Sequence, residues 1–583
     1  MTQQSFWIGR EGGATFAHLH LPEGHIEQRS TGVIIVPSLG HEYTHGYRAL
    51  RALACAAAAA GYFVIRPDLR GTGNSTEGAN VGVATWLEDI QRARSYLLQT
   101  CGVTGVVLVG VRASALLVLV SCQAEEGIIL WNPCSSGRSF IRELKVLGKI
   151  DSDASGQPVL ESGGLVFDGP LQQAIEGLQV RDNQSRIGHV LLMERADRSA
   201  DLTLANSIRQ RAASLQSATS DEFVSAFREP HNTRIPLKFI ESAVQWLFSK
   251  YPDVEVLNTK VDETSSPSTE LPGVVSSVTE SVLRINTLFA ILTHAVDSKS
   301  IVLMSNGGSA HHVGPNRLYV DLARTLSERG IDCLRYDLAN LGDSVDLQTQ
   351  FESGGVDPTQ EAITPYPDSA GGDIQSTLSW ARQQGYSRIL MAGLCAGAYA
   401  AFDLARQPDV SLPIELILIN PLTFQWREGM SLEIPSEYSN LQQAKAYQSA
   451  SRDWQHWKRL FTGDIDYLLL IQHLFGSITS RLMKRSRELA QVLGLREPPL
   501  ITQDLLRIAA SGSRLRFYFA ERDPGLDILR TAGNRCLSLL SMNKMLQIRT
   551  FKGADHTFKR VRERDELIRA IVEDIGDERA GTT

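Results

Sequence analysis

The sequence predicts an α/β protein made of two tandem domains, each a mostly parallel sheet with helices on both faces and a helical lid. Three observations predict it: an internal repeat whose parts keep their order, an alternation of short β-branched runs with helical stretches, and a Ser/Thr/Pro/Glu-rich segment between the copies.

At 583 residues the chain exceeds one ordinary hydrophobic core, so two domains are expected. Gly32–Gly40 has a counterpart in Ser300–Gly308, and Gly61–Ser75 is matched by Gly330–Ser344. Further on, Val106–Ser114 answers Arg388–Gly397, and Ile128–Pro133 answers Leu416–Pro421. Between these runs lie Ala/Leu-rich helical stretches, the pattern of a parallel sheet covered on both faces. Such sheets present reactive side chains at the carboxyl ends of their strands. Val254–Ser277 lacks sustained periodicity and reads as a linker, giving an N-terminal domain over 1–253, a linker over 254–277 and a C-terminal domain over 278–583. Asp346–Asp368, with two glycines and three prolines, reads as a surface insertion. Cys134–Gly188 and Leu422–Gly512 are long, mostly helical excursions expected to form lids. Trp426, Trp454, Trp457, Phe461 and Tyr467 in the second either line an apolar pocket or bury the lid, with core packing favoured.

Composition narrows the function classes. With 43% hydrophobic and 21% charged residues the chain reads as globular, and a net charge of -7 gives no electrostatic reason to bind nucleic acid or an anionic membrane. The seven cysteines form no CxxC pair and no His/Cys cluster of ligand spacing, so reduced thiols, no metal and no cofactor are expected. Met1–Gly13 lacks a basic stretch followed by an apolar run, so no secretory signal is expected. Thr104–Cys122 is apolar enough to suggest a membrane span, but Arg112 at its centre favours a buried strand followed by a buried helix.

The second copy carries the chemistry. Gly393-Leu-Cys-Ala-Gly397 follows an apolar strand and precedes an Ala-rich helix. Small residues flank Cys395, as a sharp strand-to-helix turn requires, and a helix start favours negative charge there. Downstream, Leu515–Ala520 reads as a strand followed by Glu521-Arg-Asp-Pro-Gly525, and Met545–Phe551 as a last strand followed by Gly553-Ala-Asp-His-Thr-Phe558.

This arrangement resembles the α/β-hydrolase superfamily, whose nucleophile elbow reads G-x-S-x-G and whose acid and then base follow the nucleophile in the chain. The chain as a whole thus resembles two tandem α/β-hydrolase domains. Asn306–Tyr319 with Leu338–Ser344 is similar to the serine-aminopeptidase-like branch and to hydrolases encoded beside bacterial polysaccharide or exosortase genes. The resemblance implies a bacterial cytoplasmic enzyme acting on an acylated intermediate, with Cys395 as nucleophile, Asp523 as acid and His556 as base. Asp527 is a rival for the acid. Backbone N–H groups of Ala396 and of Asn306-Gly-Gly308, chiefly Gly308, would form the oxyanion hole. His311 and His312 either contact substrate or sit on a solvated loop.

A thiolate attacks esters and thioesters well, whereas an amide tends to expel the thiol again, so ester or thioester chemistry is expected over peptide cleavage. The acyl donor is an acylated small molecule or a carrier-bound acyl group; the acceptor is water or a sugar or lipid hydroxyl. In the first copy Arg112 occupies the nucleophile position, and an arginine that stays protonated cannot serve. That half reads as a pseudo-hydrolase keeping Asp197 and His231 at acid and base positions. Arg112 is expected to pair with Asp197, to bind an anionic group, or to reach solvent; Ser114 and Ser38 are poor substitutes. The competing reading is a non-catalytic binding or scaffold protein.

Overall fold

The computed structural model describes residues 2–345, 365–426 and 498–576, less the short segments 10–12, 24–25, 78–80, 148–150, 153–157, 179–185, 198–201, 255–258, 260–267, 273–276, 368 and 408–412. Most of the second excursion, with Trp454, Trp457, Phe461 and Tyr467, and most of the Asp346–Asp368 insertion lie outside the described residues.

The first half contains strands β1 (Thr2–Ile8), β2 (Thr15–Leu21), β3 (Thr31–Val36), β4 (Val64–Pro67), β5 (Gly105–Val111), β6 (Gly127–Trp131), β7 (Asp151–Ser152), β8 (Pro158–Ser162), β9 (Leu165–Phe167), β10 (Ile187–Arg195) and β11 (Ala212–Ser220). Eight of them form one sheet in the order β1-β2-β4-β3-β5-β6-β10-β11. The second half contributes β12 (Ser268–Pro272), β13 (Ser277–Ile285), β14 (Leu288–His294), β15 (Ser300–Met304), β16 (Asp332–Tyr336), β17 (Arg388–Leu394), β18 (Glu415–Ile419), β19 (Arg514–Ala520) and β20 (Leu546–Phe551), ordered β12-β13-β14-β16-β15-β17-β18-β19-β20. From β13 onward the second order repeats the first. In both, the leading strands pair antiparallel and the rest parallel.

Alternation along the strands explains the two-sided burial. In β3, Ile34 and Val36 face one core and Val33 and Ile35 the other. In β15, Ile301 and Leu303 divide from Val302 and Met304 in the same way. The apolar run at Thr104–Cys122 is β5 followed by the helix Ser114–Ser121, and among the described residues no helix is long and apolar enough to cross a membrane.

Two expectations change. Ser268–Pro272, inside the segment read as a linker, pairs with β13 as an edge strand. Its Ser/Thr/Pro composition hides it, because edge strands tolerate such residues. The excursion Cys134–Gly188 is only partly helical: between the helices Gly137–Leu147 and Gly169–Gly177 it forms the sheet β7-β8-β9. Gly163 and Gly164, both at positive φ, make the two-residue turn that joins β8 to β9, a hairpin signal the sequence carries openly.

The halves meet through equivalent pieces of the repeat. Arg66 at the end of β4 donates to Asp343 at 3.1 Å, and its counterpart Arg335 at the end of β16 donates to the Asn74 side chain at 2.7 Å. Phe16 N–H donates to Ser75 and Phe289 N–H to Ser344 in the same manner. Trp7, Ala14 and Phe16 pack against Val282, Phe289 and Ile291. Burial holds His18 and His20 in this contact neutral, well below the usual imidazole range. Their folded pKa is depressed, so between it and about 6.5 the unfolded chain binds protons that the folded chain refuses. Stability is therefore expected to fall as pH drops below 6.5, by about 1.4 kcal/mol per pH unit for each histidine. Urea midpoints measured from pH 7.5 to 5 check this; a flat profile would contradict it.

Candidate active site

The turn after β17 determines what Cys395 can do. Cys395 sits at φ 57° and ψ -112°, outside the ordinary L-residue regions, and its N–H donates to the Ile419 carbonyl at 2.9 Å. The preceding N–H, of Leu394, donates to the buried Tyr319 phenol at 2.7 Å. Glycine is needed on both sides. A Cβ on Gly393 would lie 2.2 Å from the Gly397 carbonyl carbon, and one on Gly397 would lie 2.5 Å from the Asn306 carbonyl oxygen. The helix Ala396–Ala405 starts immediately behind the sulfur.

Asp523 lies after β19 and His556 after β20, so three residues remote in sequence meet at one rim of the sheet. His556 Nδ1 is 2.6 Å from Asp523 Oδ2, and the other carboxylate oxygen accepts the Gly525 N–H at 2.9 Å. Asp527 is instead 3.4 Å from Arg530. Burial opposes a charged imidazole, but the Cys395 sulfur beside it and the hydrogen bond to Asp523 prevail, and His556 is raised to about 10. Its Nε2 makes no hydrogen bond of good geometry, although the sulfur is near enough to act on the ring. Catalytic hydrogen bonds are often loose before substrate binds. Cys395 is half-buried, whereas burial pushes the Cys101 and Cys122 thiols up to about 12 and raises Cys55, Cys333 and Cys536.

The loop 305–312 packs against the turn, where Ser305 N–H donates to the Ala392 carbonyl. Gly308 has φ +64° with open space where a Cβ would stand. Asn306 anchors this loop: its amide donates to the Ala310 carbonyl at 2.7 Å and to Asp337 at 2.8 Å, and its oxygen accepts the Leu338 N–H at 2.6 Å. The two histidines that follow turn toward the first half. His312 is fully buried between Asp337 and Asn74, and His311 is stacked on the Tyr47 ring at 3.8 Å. The loop turns their rings into the contact between halves, a destination that spacing alone does not reveal. His312, Asp337 and Asp343 stand within 4.8 Å of one another, but protein donors satisfy the Asp337 oxygens.

Two contributors escaped the sequence. Tyr366, in the stretch read as an insertion, has its hydroxyl 4.0 Å from the Cys395 sulfur and stacks on Trp426 at 4.2 Å. Trp426 thus walls the sulfur's surroundings rather than only filling a core. Asn420, at φ 43°, donates its amide to the His556 carbonyl at 2.7 Å and accepts the Ala520 N–H at 2.8 Å. The repeated Asn-Pro pair was its only signal.

The first half keeps the turn with Arg112 at its apex. Arg112 has φ 54°, close to Cys395, and its N–H donates to the Trp131 carbonyl. It does not pair with Asp197, which is held by Arg195, nor is it open to an anion. Its guanidinium donates to Glu42 at 3.0 Å and to Glu143 on the excursion helix. Ser114, at the Gly397 position, is buried with its hydroxyl bonded to the Val36 and Val111 carbonyls, and Ser38 is buried as well. His231 contacts Asn232, and the Asn132 amide, counterpart of Asn420, is buried without a partner. Arg112→Ala is expected to cost about 3 kcal/mol, because Glu42 would remain buried without a counter-charge. A urea midpoint within experimental error of wild type would show that the pair clamps nothing.

The strand order and the strained turn settle the architecture. Each half has the α/β-hydrolase fold. Solved structures similar to this chain include Est1E from Butyrivibrio proteoclasticus (15% identity, 43% of this chain and 99% of that one, TM-score 0.31), an α/β serine hydrolase without lid from Xanthomonas campestris (14%, 44% and 98%, 0.29) and dienelactone hydrolase from Anabaena variabilis (11%, 51% and 96%, 0.28). No protein-family model and no curated protein matches the sequence.

Proposed function

We propose that the C-terminal α/β-hydrolase domain is an acyl-transfer enzyme using Cys395 as nucleophile, His556 as base and Asp523 as the group that orients and charges the imidazole. The single observation carrying this reading is the 2.6 Å contact between His556 Nδ1 and Asp523 beside a half-buried sulfur on a strained turn. Asp523 accepts from Nδ1–H, which leaves Nε2 to take the thiol proton. The sulfur attacks the acyl carbon, and the resulting oxyanion accepts from the Ala396 and Gly308 N–H groups. Collapse expels the alcohol or thiol, which takes its proton from the imidazolium. Water or a sugar or lipid hydroxyl then attacks the acyl-enzyme, His556 accepts its proton, and collapse breaks the C–S bond to release the product and return the Cys395 thiolate beside the imidazolium. The Tyr366–Trp426 wall favours an apolar acyl chain beside the sulfur. Esters and thioesters, on a small molecule or a carrier, are the substrate class. The N-terminal half serves as a pseudo-hydrolase partner to this site.

Alkylation by iodoacetamide tests the reading. Cys395 is expected to react at neutral pH faster than the half-buried Cys536 and the five buried thiols, and His556→Ala is expected to remove that advantage. Equal rates at Cys395 and Cys536 would favour a binding protein instead.

A further inference from the structure

A narrow cleft open to solvent lies between the two halves, and Cys395 is not part of its lining. The first half contributes His45, Arg48 and Arg51, and the second contributes Ser309, His311 and Val345. The lining holds two guanidinium groups and, among the described residues, no carboxylate. Glu229 stands nearby, 64% exposed and 3.6 Å from His45.

One buried polar group in this lining lacks a hydrogen-bond partner. His311, 3% exposed, has an unpartnered Nε2, whereas Arg51, 6% exposed, turns its Nε to Asp343. Such a group is costly unless something satisfies it. Arg51 gives another N–H to the Val345 carbonyl, and its nearest acid, Asp343 at 3.4 Å, is shared with Arg66. Burial lowers His311 to about 3, so its ring is neutral and offers one donor and one acceptor rather than charge. Arg48 at the mouth donates to the Thr233 carbonyl at 2.7 Å. Guanidiniums beside a neutral imidazole and the Ser309 hydroxyl suit a small oxyanion that also carries hydroxyl groups.

We propose that this cleft binds a small hydroxylated anion, a phosphate monoester or a carboxylate, and that its occupancy steadies the loop 305–312. Ser309 and His311 belong to that loop, and its anchor Asp337 also binds His312 and the Asp343 N–H. A ligand there would therefore order the segment carrying Gly308, and the consequence for turnover rests on the acyl-transfer reading above. The pseudo-hydrolase half would thereby supply most of an effector site for its neighbour.

Calorimetric titration of the full chain with inorganic phosphate, glycerol 3-phosphate and citrate tests binding, and hydrogen exchange at 305–312 tests the coupling. At least one anion is expected to bind saturably, with the phosphate and citrate arms distinguishing its chemistry, and to slow exchange of the loop. Arg48→Gln is expected to weaken binding about tenfold. Thr44→Phe, which fills the mouth, is expected to do the same, while Cys395→Ala leaves binding unchanged. No saturable binding, binding indifferent to both cleft variants, or binding without slower loop exchange would overturn the proposal. Loop protection in a chain lacking ester turnover would instead sink the acyl-transfer reading alone.

Discussion

Cys395→Ala is expected to lower kcat/KM toward an activated acyl ester by roughly three orders of magnitude or more, with the fold intact. Alanine fits the turn because the small side chain adds no contact, so lost turnover reports chemistry rather than misfolding. His556→Ala should cost nearly as much, and the double variant little more, since nucleophile and base act as one unit. Asp523→Asn tests orientation: the amide keeps the shape but removes the charge that supports the imidazolium, whose pKa of about 10 should fall. Additive losses from Cys395 and His556 would mean the two do not work together.

Asp343→Ala is expected to destabilise the protein by about 3–5 kcal/mol, the largest single loss foreseen outside the elbow. Asp343 is completely buried and accepts from Tyr47, from Gln3 at 3.1 Å and from Arg66 at 3.1 Å. Burial alone would raise its pKa, but the charges of Arg66 and Arg51 outweigh burial and hold it well below the usual carboxylate range; His18, which burial keeps neutral, adds no charge. This stability is present above the unfolded pKa near 3.9 and is lost as pH falls through the depressed folded value, so it adds to the histidine effect only in strong acid. Removing the carboxylate leaves Arg51 and Arg66 facing each other without compensation. Denaturant unfolding of Asp343→Ala beside Asp343→Asn checks the expectation; a loss below about 1 kcal/mol would show that the contact between halves does not depend on it.

What could be read from the sequence divides by the range of the signal. The repeat, the parallel strands and the residues at their carboxyl ends follow from local apolar periodicity and chain order, which is why Cys395, Asp523 and His556 could be named together. Asp523 and Asp527 could not be separated by spacing; only the turn into Pro524 decides which carboxylate meets the imidazole. Tyr366 illustrates a different limit. Its segment has no apolar pattern, and nothing local indicates that the chain returns to the sulfur. His311 and His312 show the converse, since nothing beside them in the chain indicates that the other half supplies Tyr47 and Asn74 as their partners. Arg112 at the apex of the first turn was legible, yet Glu143 as its partner was not, because that contact depends on how the excursion helix folds back.

Mass spectrometry of the protein quenched during turnover of p-nitrophenyl butyrate tests the central claim most directly. A butyryl group on the peptide containing Cys395, present in wild type and missing from His556→Ala under the same exposure, is the predicted result. Ester turnover with no acyl group on Cys395, or acylation of another residue at the wild-type rate in Cys395→Ala, would contradict it.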